Sequence, residues 1–226
     1  DVIFLHCSGY LNNDTNFANY FGKMYQPRYL SGLAAGAMTD SNKIGYVAAF
    51  PIPEVIRGIN AFAAGVNEVN PNATVEVVWT FTWFGPEAET QAANALLEKG
   101  ADVLAQHQDS TATGLAAEAA GAKWISYNTA YGQDSAPEAF VTAPVWDWGP
   151  YYVDIVESII DGTFTTENYW GGMETGLVSL YDLSSDVPSE TATLIAEKTE
   201  AIIDGSLEVE IVEEEFISNV IGTVNP

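Results

Sequence analysis

The sequence predicts an α/β protein built on a parallel sheet covered by helices on both faces. Two observations carry this. From Lys43 onward, short β-branched and aromatic runs alternate with longer stretches whose apolar residues recur at helical spacing. The helices recur too regularly for an all-β fold, and strands buried on both faces are what a helix-covered parallel sheet requires.

The elements follow in order. Lys43–Phe50 reads as a strand, and Pro51-Ile52-Pro53 turns the chain. Glu54–Val69 reads as a helix from Val55, Ile59, Phe62, Ala63, Val66 and Val69, with Pro53 and Glu54 suited to its first turn. Asn70-Pro71-Asn72 stops it. Thr74–Trp79 is a strand, Pro86–Lys99 a helix ended by Gly100, and Ala101–Gln106 a buried strand. Ser110–Ala120 is a small-residue helix ended by Gly121, followed by strands at Lys123–Tyr127 and Ala139–Ala143. Before this block, Val2–Cys7 reads as a buried strand and about Asn19–Met38 as a helix. Because Asp1-Val2-Ile3-Phe4-Leu5 opens as a strand already in progress, a segment upstream is expected. After the block come a helix at Tyr151–Asp161, a strand around Leu177–Leu180, a helix at Pro188–Asp204 and a β-rich tail at Leu207–Ile217.

The chain has 226 residues, 47 % hydrophobic and 17 % charged, enough to build a core without disulfides or metals. No apolar run is long enough to span a bilayer. Asp and Glu number 31 against 7 Lys and Arg, a formal charge of −24. Such a surface repels phosphate backbones and anionic lipid, which disfavours binding to nucleic acid or a membrane surface, and no direct membrane insertion is expected. The acids are mostly dispersed, as on a solvated face, with one dense run at Glu213-Glu214-Glu215. Cys7 is the single cysteine and reads as a small buried hydrophobe.

In an open parallel sheet, ligands sit beyond the carboxyl ends of the strands. Those ends carry Thr80–Gly85 (TFTWFG), Gln106–Ser110 (QHQDS), Asn128–Tyr131 (NTAY) and Val145–Trp148 (VWDW), whereas the opposite ends carry ordinary turn residues. Trp83, Trp146 and Trp148 on one edge, with Gln106, His107, Asp109 and Asn128 between them, fit a pocket for a flat polar ligand: rings stack, amides and carboxylates read the edge. In an extended VWDW segment the rings face the cleft and Asp147 faces away. His107 reads as a ligand contact, a satisfied structural histidine or a catalytic base, Asp109 as a ligand acceptor, a helix cap or both. Arg57 pairs with a carboxylate or meets a ligand at the cleft rim. No strained nucleophile elbow or phosphate-binding glycine loop is present, and two histidines with one cysteine make a zinc site improbable. The reading is therefore non-enzymatic, with no cofactor or metal.

Tyr29-Leu30-Ser31-Gly32, Lys43-Ile44-Gly45, the turn and helix from Pro51 to Arg57, Gly100-Ala101-Asp102-Val103, Ala143–Tyr152, Trp170-Gly171-Gly172 and Ala201–Gly205 together resemble the basic membrane protein family of ABC-importer solute-binding proteins. The resemblance implies a type I periplasmic-binding-protein fold, two lobes with parallel sheets, and a purine nucleobase or nucleoside held between them. It implies a first lobe, N-terminally truncated, at 1–42 plus 149–172, and a second at 43–144 plus 173–226. It adds Phe50 and Phe21 to the wall residues Trp83, Trp146 and Trp148, beside the polar readers Gln106, His107, Asp109 and Asn128. It also implies an ABC permease as partner and an extracytoplasmic location, lipid-anchored in the precursor. Where the family's strand usually ends in Asp, this chain has Asn128, so the ligand edge being read differs. The alternatives are the same scaffold binding a sugar or other small polar solute, an incomplete non-binding interaction module, and a nucleoside-acting enzyme.

Overall fold

Strand and helix alternate from Lys43 as the sequence predicts, and the computed structural model describes them within residues 2–224. Asp1, Asn225 and Pro226 lie outside the described residues. In chain order the elements are β1 (Phe4–Cys7), β2 (Phe17–Gly22), α1 (Tyr25–Met38), β3 (Lys43–Ala48), α2 (Pro53–Val69), β4 (Thr74–Trp79), α3 (Pro86–Glu98), β5 (Val103–His107), α4 (Ala112–Ala120), β6 (Lys123–Ile125), the short α5 (Gly132–Ser135), β7 (Phe140–Thr142), β8 (Pro144–Trp146), α6 (Gly149–Ile160), β9 (Tyr169–Gly171), β10 (Val178–Leu180), α7 (Ser189–Ile203) and β11 (Val220–Ile221).

The large sheet has the order β11-β4-β3-β5-β6-β7, and every pair is parallel. Within it, β4-β3-β5-β6-β7 is a doubly wound order whose crossovers run off in opposite directions from β3. The switch point lies between β3 and β5. Side chains alternate across β3: Ile44, Tyr46 and Ala48 join the core under α1 and α2, while Val47 joins Leu104, Trp124 and the alanines of α3 and α4.

Helices α1 and α2 meet backbone to backbone. A Cβ at Gly32 would lie 2.0 Å from the Phe62 carbonyl oxygen, and one at Gly65 would lie 2.1 Å from that of Tyr29. At the other end of α1, the Asp102 carboxylate accepts hydrogen bonds from Thr39 Oγ1 (2.6 Å) and from the backbone N–H groups of Asp40 (2.8 Å) and Ser41 (2.7 Å). That clamp ties the α1–β3 turn to the start of β5.

A second sheet of three parallel strands, β1-β2-β9, stands apart from the first, and β8 pairs antiparallel with β10. Three expectations are corrected here. The helix expected over Asn19–Met38 begins at Tyr25; Phe17–Gly22 is instead the middle strand of the small sheet, pairing Phe4 with Phe17 on one side and Tyr20 with Tyr169 on the other. Long-range pairing overrides local propensity there. The opening strand is not buried: β1 has one neighbour, and Val2 and Phe4 are 64 % and 54 % exposed. The tail 207–217 holds no strand, and part of its backbone is met by one side chain of α2. Asn60 Nδ2 donates to the carbonyls of Val212 (2.9 Å) and Glu215 (2.7 Å), and Asn60 Oδ1 accepts from Ile217 N (3.1 Å). Only Val220–Ile221 joins the ladder, beside β4. Among the described residues no helix is long and apolar enough to cross a membrane.

Candidate functional site

A cleft of about 840 Å³ opens at the carboxyl ends of the strands. Its lining comes from the small sheet, the large sheet and the β8–α6 segment that carries Trp146 and Trp148. The small sheet contributes Phe21 and the turn Cys7-Ser8-Gly9-Tyr10; the large sheet contributes the loops after β3, β4, β5 and β6. Three strand exits on this edge carry non-glycine residues with positive φ: Ser8 (55°), Phe81 (57°) and Asn128 (61°). Such conformations cost free energy and collect at binding sites, where the surrounding structure enforces them.

Of the nine residues singled out, six line the cleft: Phe21, Trp83, Asp109, Asn128, Trp146 and Trp148. Trp146 and Trp148 stack on each other at 4.6 Å between ring centroids and 14° between planes, and Phe21 packs 5.1 Å from Trp146. Asp147 is exposed and outside the cleft lining, and its carboxylate accepts from Gly149 N (3.0 Å) just before α6. Trp83 stands on the opposite sheet's loop, 39 % exposed, and its carbonyl accepts from Asp109 N at 2.9 Å, joining two cleft loops. Trp146 Nε1 donates to Asn128 Oδ1 at 3.0 Å. An indole N–H can only donate, so this contact fixes which end of the amide is the oxygen and turns its N–H group to the other side.

Three residues, Phe50, Gln106 and His107, stand behind the lining. Phe50 packs 5.4 Å from Trp83 and backs it rather than facing the cleft. Gln106 is 2 % exposed, and its polar atoms are consumed internally: Nε2 donates to the carbonyls of Gln108 (2.9 Å) and Ser110 (2.7 Å), and Oε1 accepts from Trp124 Nε1 (3.0 Å). It holds the loop that carries Asp109. His107 is 1 % exposed; its Nε2 lies 3.2 Å from Glu54 Oε2, and its ring packs 4.6 Å from Tyr127. Beneath it, the fully buried Arg28 donates to the Gln106 carbonyl (2.8 Å) and lies 4.6 Å from the Tyr127 ring centroid.

Residues that the sequence reading passed over also line the cleft, among them Cys7, Tyr10, Glu54 and Tyr127. Cys7 is half-buried at the wall instead of sealed in the core. Glu54 sits in the first turn of α2, directly after the switch-point strand β3, where it reads in sequence as ordinary helix-start charge. Arg57, one turn on, pairs with Glu213 and lies over the rings of Trp170 (5.4 Å) and Tyr25 (5.7 Å).

Burial pushes the Glu54 carboxyl up, but the imidazole of His107 and the guanidiniums of Arg28 and Arg57 outweigh it and leave it below its ordinary value. Burial also pushes His107 down, more strongly than Glu54 pulls it up. At neutral pH the pair is therefore a carboxylate beside a neutral imidazole. Both groups bind protons more readily in the unfolded chain, so both contribute stability that is lost as pH falls. For His107 the loss begins at the unfolded value near pH 6.5, and Glu54 adds to it below about pH 4.5. Urea unfolding between pH 7 and 5 is expected to show stability falling by up to about 1.4 kcal/mol per pH unit from His107. His107→Asn should flatten that part of the slope; an unchanged slope would remove His107 as its source.

Comparison with known proteins follows the same outline. Residues 1–213 match the family model Bmp, described as ABC transporter substrate-binding protein PnrA-like. A Haloferax volcanii protein that carries the name of an ABC transporter glucose-binding protein is 44 % identical over 209 residues, covering 92 % of this chain and 53 % of its own. A purine-binding protein of Brucella abortus is 40 % identical over 208 residues, covering 90 % of this chain and 57 % of its own. The chain thus spans about half the length of these curated relatives. Among solved structures, an ABC transporter solute-binding protein from Conexibacter woesei superposes with a TM-score of 0.74 at 24 % identity, over 93 % of this chain and 72 % of that one. A second, from Aeropyrum pernix, reaches 0.80 at 15 % identity, over 94 % and 71 %. These likenesses place the fold in the type I periplasmic-binding-protein class.

Proposed function

Because the chain belongs to the Bmp family of PnrA-like ABC-transporter substrate-binding proteins, we propose that it holds a purine nucleobase or nucleoside in the cleft as part of an extracytoplasmic importer component. The ligand is then delivered to a membrane permease. The observation that carries this reading is the set of aromatic walls: Trp83 on the large-sheet loop, Phe21 on the small sheet, and the stacked Trp146 and Trp148 where the chain crosses between them, around about 840 Å³. A planar base offers two faces to such walls, and the purine-binding relative supports that choice. No catalytic step is assigned. In the lobe division we propose, the small sheet β1-β2-β9 and α6 form one side and the large sheet the other. Helix α1 goes with the large sheet because it packs along α2, so the boundary falls before Tyr25 rather than after residue 42.

A second reading is favoured by the relative named for glucose: stacked indoles serve sugar rings as well as bases. Calorimetric titration with adenine, adenosine and glucose separates the two. Saturable heat with a purine is the expected result, and Trp83→Ala is expected to weaken it about 5- to 150-fold, the range of one base–aromatic stack. Binding of glucose alone would replace the purine reading with the sugar reading. A folded chain that binds none of the three would leave an interaction module without a ligand.

A further inference from the structure

Glu54 lines the cleft directly at the switch point of the large sheet, in the first turn after β3, and is backed by buried His107. In a doubly wound sheet that crevice is where bound ligands lie. One carboxylate oxygen, Oε2, is 3.2 Å from His107 Nε2, a close pair outside hydrogen-bond geometry, so both carboxylate oxygens keep lone pairs for a ligand. The imidazole behind it is 1 % exposed and enclosed by Trp83 at 6.0 Å and Tyr127 at 4.6 Å, so it is fixed in place. An ionised carboxylate only accepts hydrogen bonds, and the Asn128 amide, its oxygen engaged by Trp146, offers its N–H group as a donor. The remaining charges on the lining are Asp109 and the paired Arg57 and Glu213, three acids against one base in all.

We propose that Glu54 sets the ligand polarity of the cleft: it accepts an N–H or O–H from the bound molecule, with His107 as its positioning residue. The assignment rests on the binding reading given above. It restricts the ligand to an uncharged or cationic molecule with a donor for Glu54 and an acceptor for Asn128. A free base, a nucleoside or a sugar meets this condition, and a phosphorylated form does not, because its charge would face a net acidic lining.

The test uses whichever of adenine, adenosine and glucose the native chain binds. Glu54→Gln keeps the shape and removes the charge, and is expected to weaken binding at least about tenfold, as loss of a charge-assisted hydrogen bond does. Glu54→Asp, which keeps the charge on a shorter stem, is expected to fall between the two. His107→Asn is expected to weaken binding in the native background and to add nothing in the Glu54→Gln background, a non-additivity that a purely structural histidine would not give. Adenosine 5′-monophosphate or glucose 6-phosphate is expected to bind the native chain at least about tenfold more weakly than its unphosphorylated counterpart. A folded Glu54→Gln chain that binds within threefold of native, or a phosphorylated ligand that binds equally well, would overturn the assignment and leave the binding reading standing. A native chain that binds none of the three probes would overturn both.

Discussion

Replacing Gly65 with Ala is expected to destabilise the fold by about 2 kcal/mol or more, because the new methyl has nowhere to go. It would stand 2.1 Å from the Tyr29 carbonyl oxygen and 3.0 Å from Leu33 N, both main-chain atoms of the facing helix. A side chain could rotate away; a backbone cannot without moving α1 bodily. The intrinsic gain of Ala over Gly in a helix, about 1 kcal/mol, runs the other way and is outweighed. Gly58 supplies the control on the same helix. A Cβ there meets Arg28 Nε and His107 Nδ1 at 3.7 Å, ordinary contact, so Gly58→Ala should be neutral or slightly stabilising. In thermal unfolding, Gly65→Ala is expected to melt about 5 °C or more below native, with Gly58→Ala at or above it. Equal melting temperatures for the two variants would contradict the direct contact between the helices.

Trp124→Ala is expected to cost more, about 3–5 kcal/mol, as truncation of a fully buried indole does. Trp124 is 0 % exposed and fills a slot shaped by two glycines: a Cβ at Gly114 or Gly132 would come within 2.4 or 2.5 Å of its ring. Its Nε1 also satisfies Gln106 Oε1 at 3.0 Å, and losing it strands a buried acceptor. Trp124→Phe separates the two effects. It keeps a ring and removes the N–H, and should cost about 1–3 kcal/mol. Urea midpoints at constant m-value would measure both. A Trp124→Phe chain as stable as native would mean that the Gln106 contact contributes nothing.

Gln106 shows where sequence pattern reaches its limit. Its position at the end of β5 places it correctly on the cleft edge, but period two alone cannot say which of two neighbouring residues faces outward at a strand terminus. The hydrogen bonds to Trp124, Gln108 and Ser110 turn it inward, and Asp109, three residues on, takes the exposed place. The large sheet was legible because each strand and helix is a local pattern of one period. Strand β2 was not, because Phe17–Gly22 owes its conformation to partners 13 residues before it and about 149 after it. Glu54 escaped notice for a different reason: a glutamate in the first turn of a helix has a sufficient local explanation, and only the strand order reveals that this helix starts at the switch point.

The touching main chains of α1 and α2 have a mechanical consequence. Two rods seated this closely have no play, so Arg28 on one and Glu54 and Arg57 on the other keep their spacing in every posture of the molecule. Whatever travel the small sheet makes toward a guest must be absorbed where single chains cross between the sheets, near Lys23, Asp147 and Gly172. The charged floor, with Trp83 and Trp146 attached to it, is thus a chassis, and the small sheet that carries Phe21 is the part whose travel those crossings would have to take up.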